Sequence, residues 1–464
     1  MSDLADSATA FAAQRPLLEL PSAARLRSEI WALSWPVILS FGLDSILGLT
    51  SILMVGRLGA EAVGAVGLGT QVLGAVRAGI NAVGTGTVAL VARDIGAGDR
   101  DHAEEVLSQS MLWGVIVSAA IAVPVILFAP EILEVFRIRG PTAVLGARYL
   151  QITMLSEPFT GVFLMAASAL RGAGDTRTPL WIGAVIDLFA IGANYVLIFG
   201  KLGFPALGVD GSAIATLIAY ALSAGIFVWA LQLEGSALRY KFHLRQLIPD
   251  YSLARRILRI GYPAAIEQLV IQFGFFAYVA FIASYGEKAI AAYFIGVRIL
   301  ALSFLPGFGF QAAAATLVGQ GLGAERPDFS RDSGWATTKM SIYLMSGLGA
   351  LVIVFAREIS AAFIDDSAVV TLCIIFMYAL GSAQPLMAID WTLTGALRGA
   401  GDSQFPLFAS VAGFFGFRLA LTSVIVHYRG PLSWIWWSII IDYLVRAGLK
   451  GWRFHSGRWA EIKV

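Results

Sequence analysis

The sequence predicts an all-α polytopic membrane protein, with twelve helices in two six-helix bundles related by a pseudo-two-fold axis along the membrane normal. Three observations carry that prediction. The first is composition: of 464 residues, 58% are hydrophobic and 14% charged, whereas a soluble chain carries roughly a quarter charged residues. The second is a series of long apolar runs, such as residues 30–55 and 111–130, matching the ~20 residues that cross a ~30 Å hydrocarbon core. The third is an internal repeat. Leu170-Arg171-Gly172-Ala173-Gly174-Asp175 recurs as Leu397-Arg398-Gly399-Ala400-Gly401-Asp402, an offset of 227. At the same offset, Pro36, Gly59, Ala62, Gly96, Pro158 and Pro179 recur as Pro263, Gly286, Ala289, Gly323, Pro385 and Pro406. One register kept over that length implies two halves without net insertion.

Taken in order, residues 1–28 are polar and lack an apolar core before a small-residue cleavage site, which reads as a cytoplasmic tail. Apolar spans follow near 29–55, 62–90, 106–129, 143–168, 179–200 and 211–233, forming an N-terminal lobe over 29–236. A polar linker over 237–256 leads to a C-terminal lobe over 257–452, with spans near 257–284, 289–318, 335–356, 368–395, 405–427 and 431–449; residues 453–464 form a second tail. With both tails inside, 22 Lys and Arg fall on inner segments and 8 on outer ones, the asymmetry that sets membrane orientation. Six spans per half then give the halves one orientation, a parallel repeat. Both LRGAGD copies face the cytoplasm, where a glycine pair suits a tight turn. Arg171, Asp175, Arg398 and Asp402 read as structural or gating groups, with Pro36 and Pro263 as kinks, because an interfacial turn lies ~15 Å from the bilayer midplane.

Several classes are excluded or disfavoured. A net charge of +2 gives no electrostatic case for nucleic acid. Cys373 is the only cysteine, so there is no intramolecular disulfide and no Cys-rich metal site. No G-x-x-x-x-G-K-[ST] loop occurs, and no cofactor is expected; energy must come from an ion gradient. An intramembrane enzyme such as a prenyl transferase would need paired D-D-x-x-D motifs, and the only adjacent aspartates are Asp365-Asp366.

Among the carboxylates within spans, four stand out: Asp44, Asp187, Glu267 and Asp390. A charge at bilayer depth costs several kcal/mol and marks function. None is duplicated: their repeat positions are Ile271, Phe414, Ser40 and Phe163. Asp44 shares a helix face with Ser51, and Asp187 with Asn194, each seven residues on. Glu267 follows Pro263 by four residues, with Gln268 and Gln272 nearby, and Asp390 has Tyr378 and Gln384 as neighbours in sequence. The structural alternative for Asp44 is a hydrogen bond to Ser45 or Thr50. Arg77, Arg298 and Arg418 are expected to pair with acids or snorkel, and Asp442 and Arg446 to form an i,i+4 ion pair. Trp434, Trp436 and Trp437 suit an interfacial belt, and Phe273, Phe275, Phe276 and Tyr278 line an apolar cavity, pack, or face lipid.

The chain resembles the prokaryotic branch of the multidrug and toxic compound extrusion (MATE) family. The resemblance is carried by Val55-Gly56-Arg57-Leu58-Gly59, the first LRGAGD with Pro179, Leu197-Ile198-Phe199-Gly200, Gly208-Val209-Asp210-Gly211-Ser212-Ala213 and Pro263-Ala264-Ala265-Ile266-Glu267-Gln268. It implies export of amphipathic, often cationic small molecules in exchange for H⁺ or Na⁺; the protein is expected in an inner membrane, as a monomer in the lipid bilayer. It also implies a proton site of Asp44 and Asp187, where two close carboxylates in an apolar setting repel and desolvation disfavours ionisation. A cation or substrate site would comprise Glu267 and Asp390, with Asn194, Ser51, Gln268 and Gln272 as further contacts. Asp44 lies earlier in its helix than the family's usual aspartate. A flippase for lipid-linked saccharides shares the architecture, but would call for a basic cavity where the candidates here are mainly acidic.

Overall fold

Apolar runs of this length satisfy their backbone groups within a bilayer only as helices, and the computed structural model, which describes residues 22–135, 140–240 and 248–462, is built of them. The first half holds α1 (Ala23–Gly56), α2 (Ala60–Ala97), α3 (Arg100–Leu127), α4 (Pro141–Met154), α5 (Glu157–Gly172), α6 (Arg177–Phe199) and α7 (Val209–Ala230). The second holds α8 (Tyr251–Ala283), α9 (Glu287–Gly323), α10 (Pro327–Val354), α11 (Ser367–Gly399), α12 (Gln404–His427) and α13 (Leu432–His455). The tail through residue 21, Arg137, Arg139, Lys241, Arg245 and Lys463 lie outside the described residues.

Among the described residues, nine helices are long and apolar enough to cross a membrane, and two bent pairs bring the number to eleven. The bends are 48° between α4 and α5 and 44° within α9. Each falls about four residues before a proline, Pro158 and Pro306, whose ring clashes with the carbonyl of residue i−4. The twelfth expected span coincides with α13. At 24 residues it is long enough, but Asp442, Arg446, Lys450 and its tryptophans leave it less apolar than the rest.

The chain divides into two compact units, with residues 39–95 and 99–262 in one, and residues 22–38, 96–98 and 263–462 in the other. The divisions on α1 and α8 fall next to Pro36 and Pro263, so the start of each lobe's first helix groups with the other unit. In the second unit Leu26, Ile30 and Leu33 join Phe310, Ala313, Leu317 and Phe329 in one apolar cluster. In the first, α3 holds the linker. Arg100 donates to the Ser236 carbonyl at 2.8 Å, and Glu104 accepts from Arg239 N at 3.1 Å. Gln109 donates to the Ile248 carbonyl and accepts from Asp250 N, both at 3.0 Å.

The two LRGAGD turns have the same construction. Asp175 N donates to Leu170 O and Asp402 N to Leu397 O, both at 2.8 Å, closing a helix end of Schellman type. The second glycine of each, Gly174 and Gly401, has φ of 91° and 88°. The first serves packing instead: a Cβ on Gly172 would meet Val88 O at 2.9 Å, and one on Gly399 would meet Ala315 O at 2.2 Å. Gly399→Ala is therefore expected to cost about 1–3 kcal/mol by overpacking, read as a fall in Tm.

Asp250 starts α8, accepting from Ser252 N at 2.7 Å, the Ser252 hydroxyl at 2.7 Å and Leu253 N at 3.1 Å. The Ser252 hydroxyl, followed by these backbone groups, holds its carboxyl below the usual carboxylate range. The cap is thus complete above the unfolded carboxylate pKa and is lost as pH falls through the lowered folded value. Asp250→Ala should destabilise this helix start by about 1 kcal/mol at neutral pH, with a smaller effect in acid, as followed by hydrogen exchange of Ser252 and Leu253.

Candidate functional site

In the second unit two clusters of polar contacts, both anchored on α13, involve α8, α11, α12 and α13. Positions 442, 446 and 450 fall four apart and so share one face of α13. Asp442 accepts from Arg446 Nε at 2.6 Å and Nη2 at 3.1 Å, and lies 3.5 Å from Arg418 Nη1. The Lys450 ammonium meets Asp390 Oδ1 at 2.5 Å, Thr394 Oγ1 at 2.8 Å and Ser410 Oγ at 3.5 Å. Ser410 in turn donates to Glu267 Oε1 at 2.5 Å, and Arg398 to Glu267 Oε2 at 2.8 Å. All these residues are buried except Arg398, which is partly so.

Local sequence makes room for this network. Residues 412–419 of α12 form a π-helix, a wider turn common at functional sites. A Cβ on Gly413 would lie 2.5 Å from Asp442 Oδ1 and 2.6 Å from Arg446 Cγ. Arg418 is stacked over Tyr278 at 4.4 Å and Phe414 at 5.0 Å. Tyr278 is thus a packing residue, while Phe273 and Phe276 are exposed.

The first unit is built differently. Asp44 is exposed on α1, and Asp187 is half-buried on α6. They lie within electrostatic range of one another, and Arg77 and Arg171 both act on Asp44. Ser45 and Thr50 donate to their own helix, to Phe41 O and Ile46 O, so neither holds Asp44. Asn194 is buried and donates to Ala190 O at 2.8 Å, and Ser51 is half-buried. Arg77 lies 3.4 Å from Glu157 and 4.9 Å from the Tyr220 ring centroid.

Several expectations change. Gln268 and Gln272 are exposed while Glu267 is buried, because adjacent helical positions point about 100° apart. Tyr378 is likewise exposed and Gln384 buried. Arg77 and Arg418 pair with acids, the first of the two expected alternatives, and Arg298, exposed and without an ion pair among the described residues, is compatible with the second, snorkelling. The interior is not mainly acidic throughout. In the second unit Arg398, Arg418, Arg446 and Lys450 face Glu267, Asp390 and Asp442, four bases to three acids. In the first, Asp44, Glu157 and Asp187 outnumber Arg77 and Arg171.

The LRGAGD arginines turn out to be more than surface groups. Arg398 pairs with Glu267 on α8, and Arg171 acts on Asp44 on α1. Glu267 lies one helical turn short of the repeat position of Asp44, a four-residue shift that keeps the face. The aspartates of the motif differ: Asp175 serves locally, accepting from Arg177 N and Thr178 N at the start of α6, whereas Asp402 pairs with Arg453 of α13 at 2.7 Å. Sequence reasoning missed Glu157, although it lies inside an expected span. It also missed Lys450, whose signal was the Asp442-Arg446-Lys450 spacing.

The MatE family model matches residues 36–196 and 263–424, starting at Pro36 and Pro263, the same offset as the repeat. Among curated relatives, the probable multidrug resistance protein NorM of Thermotoga maritima is 29% identical over 97% of this chain and 96% of its own. The multidrug resistance protein NorM of Burkholderia vietnamiensis is 27% identical over 94% and 95%. Among solved structures, a MOP superfamily transporter from Pyrococcus furiosus superposes with a TM-score of 0.85 at 22% identity, over 95% of this chain and 98% of that one. An outward-facing multidrug resistance MATE family transporter gives 0.85 at 20% identity, over 95% and 99%. With the family model spanning both halves of the repeat, the chain belongs to the MatE family and is a multi-pass membrane transporter.

Proposed function

We propose that this protein is a secondary antiporter that exports amphipathic, cationic drugs or metabolites in exchange for inward H⁺, by alternating access. It works as a monomer in the cell inner membrane with both termini cytoplasmic. The names of the NorM relatives support multidrug efflux, and the 22 to 8 distribution of basic residues supports the orientation.

One observation carries the choice of H⁺ over Na⁺. Of the acids within spans, Glu157, Glu267, Asp390 and Asp442 each have an ion-pair partner. Among the described residues Asp44 and Asp187 have none within ion-pair distance, and they sit in the first unit, where Asp44, Glu157 and Asp187 accompany two bases, Arg77 and Arg171. A carboxylate at bilayer depth loses its charge either to a bound base or to a proton, and these two have only the second route. The same excess of acid suits a cationic solute, which would compete with the proton. The second unit's bases are engaged by its carboxylates, which leaves the lipid-linked saccharide reading without the open basic surface a pyrophosphate needs.

The driving force is sufficient. A proton entering at ~150 mV supplies about 3.5 kcal/mol, at ~2.3 kcal/mol per 100 mV, enough for a several-hundred-fold gradient of a neutral solute. In vesicles loaded with a cationic dye, an imposed pH gradient should drive dye transport and an equal Na⁺ gradient should not. Transport driven by Na⁺ alone would overturn this reading.

A further inference from the structure

The Lys450 ammonium has an unusual setting for a lysine in the last span of a membrane protein. It is buried, and its three N–H donors are taken by three side-chain oxygens on two other helices, Asp390 and Thr394 of α11 and Ser410 of α12. Ser410 passes the contact on to Glu267 of α8. A lysine ammonium is a compact point charge that accepts nothing, so this shell of carboxylate and hydroxyl oxygens is one that a small hard cation also satisfies. Long basic side chains near helix ends ordinarily snorkel to the interface. Lys450 instead turns into the protein, and only the four-carbon tether distinguishes it from a bound ion.

We propose that Lys450 is a built-in substitute for a monovalent alkali cation, filling an oxygen cage formed by Asp390, Thr394 and Ser410 and bounded by Glu267. The charge count fixes the valence. With four bases to three acids the interior already carries one surplus positive charge; a monovalent ion in place of the ammonium restores that state, and a divalent ion exceeds it. The consequence is that the second unit holds its cation permanently and exchange is left to Asp44 and Asp187, a corollary that rests on the proposed antiport. The cage itself is tested by binding and not by transport, so the two readings can fail separately.

The test uses the full-length protein purified in detergent, with Tm measured in NaCl, KCl and choline chloride at equal ionic strength. The wild type should show no difference among the salts. Lys450→Ala, and Lys450→Gln, which keeps most of the stem, should be less stable in choline and recover by about 3 °C or more in Na⁺ or K⁺, the shift expected for a ligand that stabilises a chain of this size by saturating one site. Adding Asp390→Asn to either variant should abolish the recovery. An alkali-specific rise in the wild type, no salt dependence in the folded variants, or failure of both variants to fold in every salt would each overturn the proposal.

Discussion

Asp44→Asn leaves the fold intact and reduces pH-driven export to the level of protein-free vesicles. The substitution is isosteric, the residue is exposed on α1, and the neighbouring hydroxyls are bonded to their own helix. The expected stability change is therefore that of a surface substitution, within about 0.5 kcal/mol. What disappears is the proton: the amide cannot titrate, and the long-range attraction of Asp44 for Arg77 and Arg171 is lost with it. Asp187→Asn should impair coupling in the same direction, since Asp187 and Asp44 interact electrostatically. Full pH-driven export by Asp44→Asn in reconstituted vesicles would remove Asp44 from the mechanism.

Asp442→Asn should have the opposite signature, loss of stability ahead of any specific loss of coupling. Asp442 is fully buried and is shared between Arg446 and Arg418. Removing its charge strands two guanidinium groups in the interior, and breaking a buried pair costs about 3–5 kcal/mol because the remaining charge is uncompensated. Thermal unfolding in detergent should show a fall in Tm of about 3–5 °C, at about 1 °C per kcal/mol for a chain of 464 residues. Adding Arg418→Met, which removes one stranded charge and keeps an apolar stem beside Tyr278 and Phe414, should return part of the loss. No recovery in the double variant would mean that Arg418 is held by its aromatic cage and not by Asp442.

The architecture was legible because a bilayer leaves few choices. Run length gave the spans, and a single register gave the halves. The prolines read as kinks were Pro36 and Pro263, whereas the two bends lie about four residues before Pro158 and Pro306. The candidate site was legible only in part. Asp44, Asp187, Glu267 and Asp390 were visible as charges in apolar runs, but their partners were not. Lys450 and Arg398 lie at the ends of spans, where basic residues ordinarily face water, and only packing shows that they turn inward to Asp390 and Glu267. The correspondence of Asp44 with Glu267 was hidden by a four-residue shift. A strict alignment of the halves counts that as a mismatch, while a helix keeps it on one face. The LRGAGD turn was read correctly as a turn; that the arginine of its second copy pairs with Glu267 on α8 follows from how α11 packs, which sequence does not state.

In the proposed antiport the exchangeable proton resides on Asp44 and Asp187, and the paired acids of the second unit hold none. Proton release on addition of a cationic dye to the purified, weakly buffered protein, followed with a pH indicator, addresses it without a membrane. The account predicts release by the wild type that disappears in Asp44→Asn/Asp187→Asn. Undiminished release by that double variant, or dye binding by the wild type without any release, would contradict it.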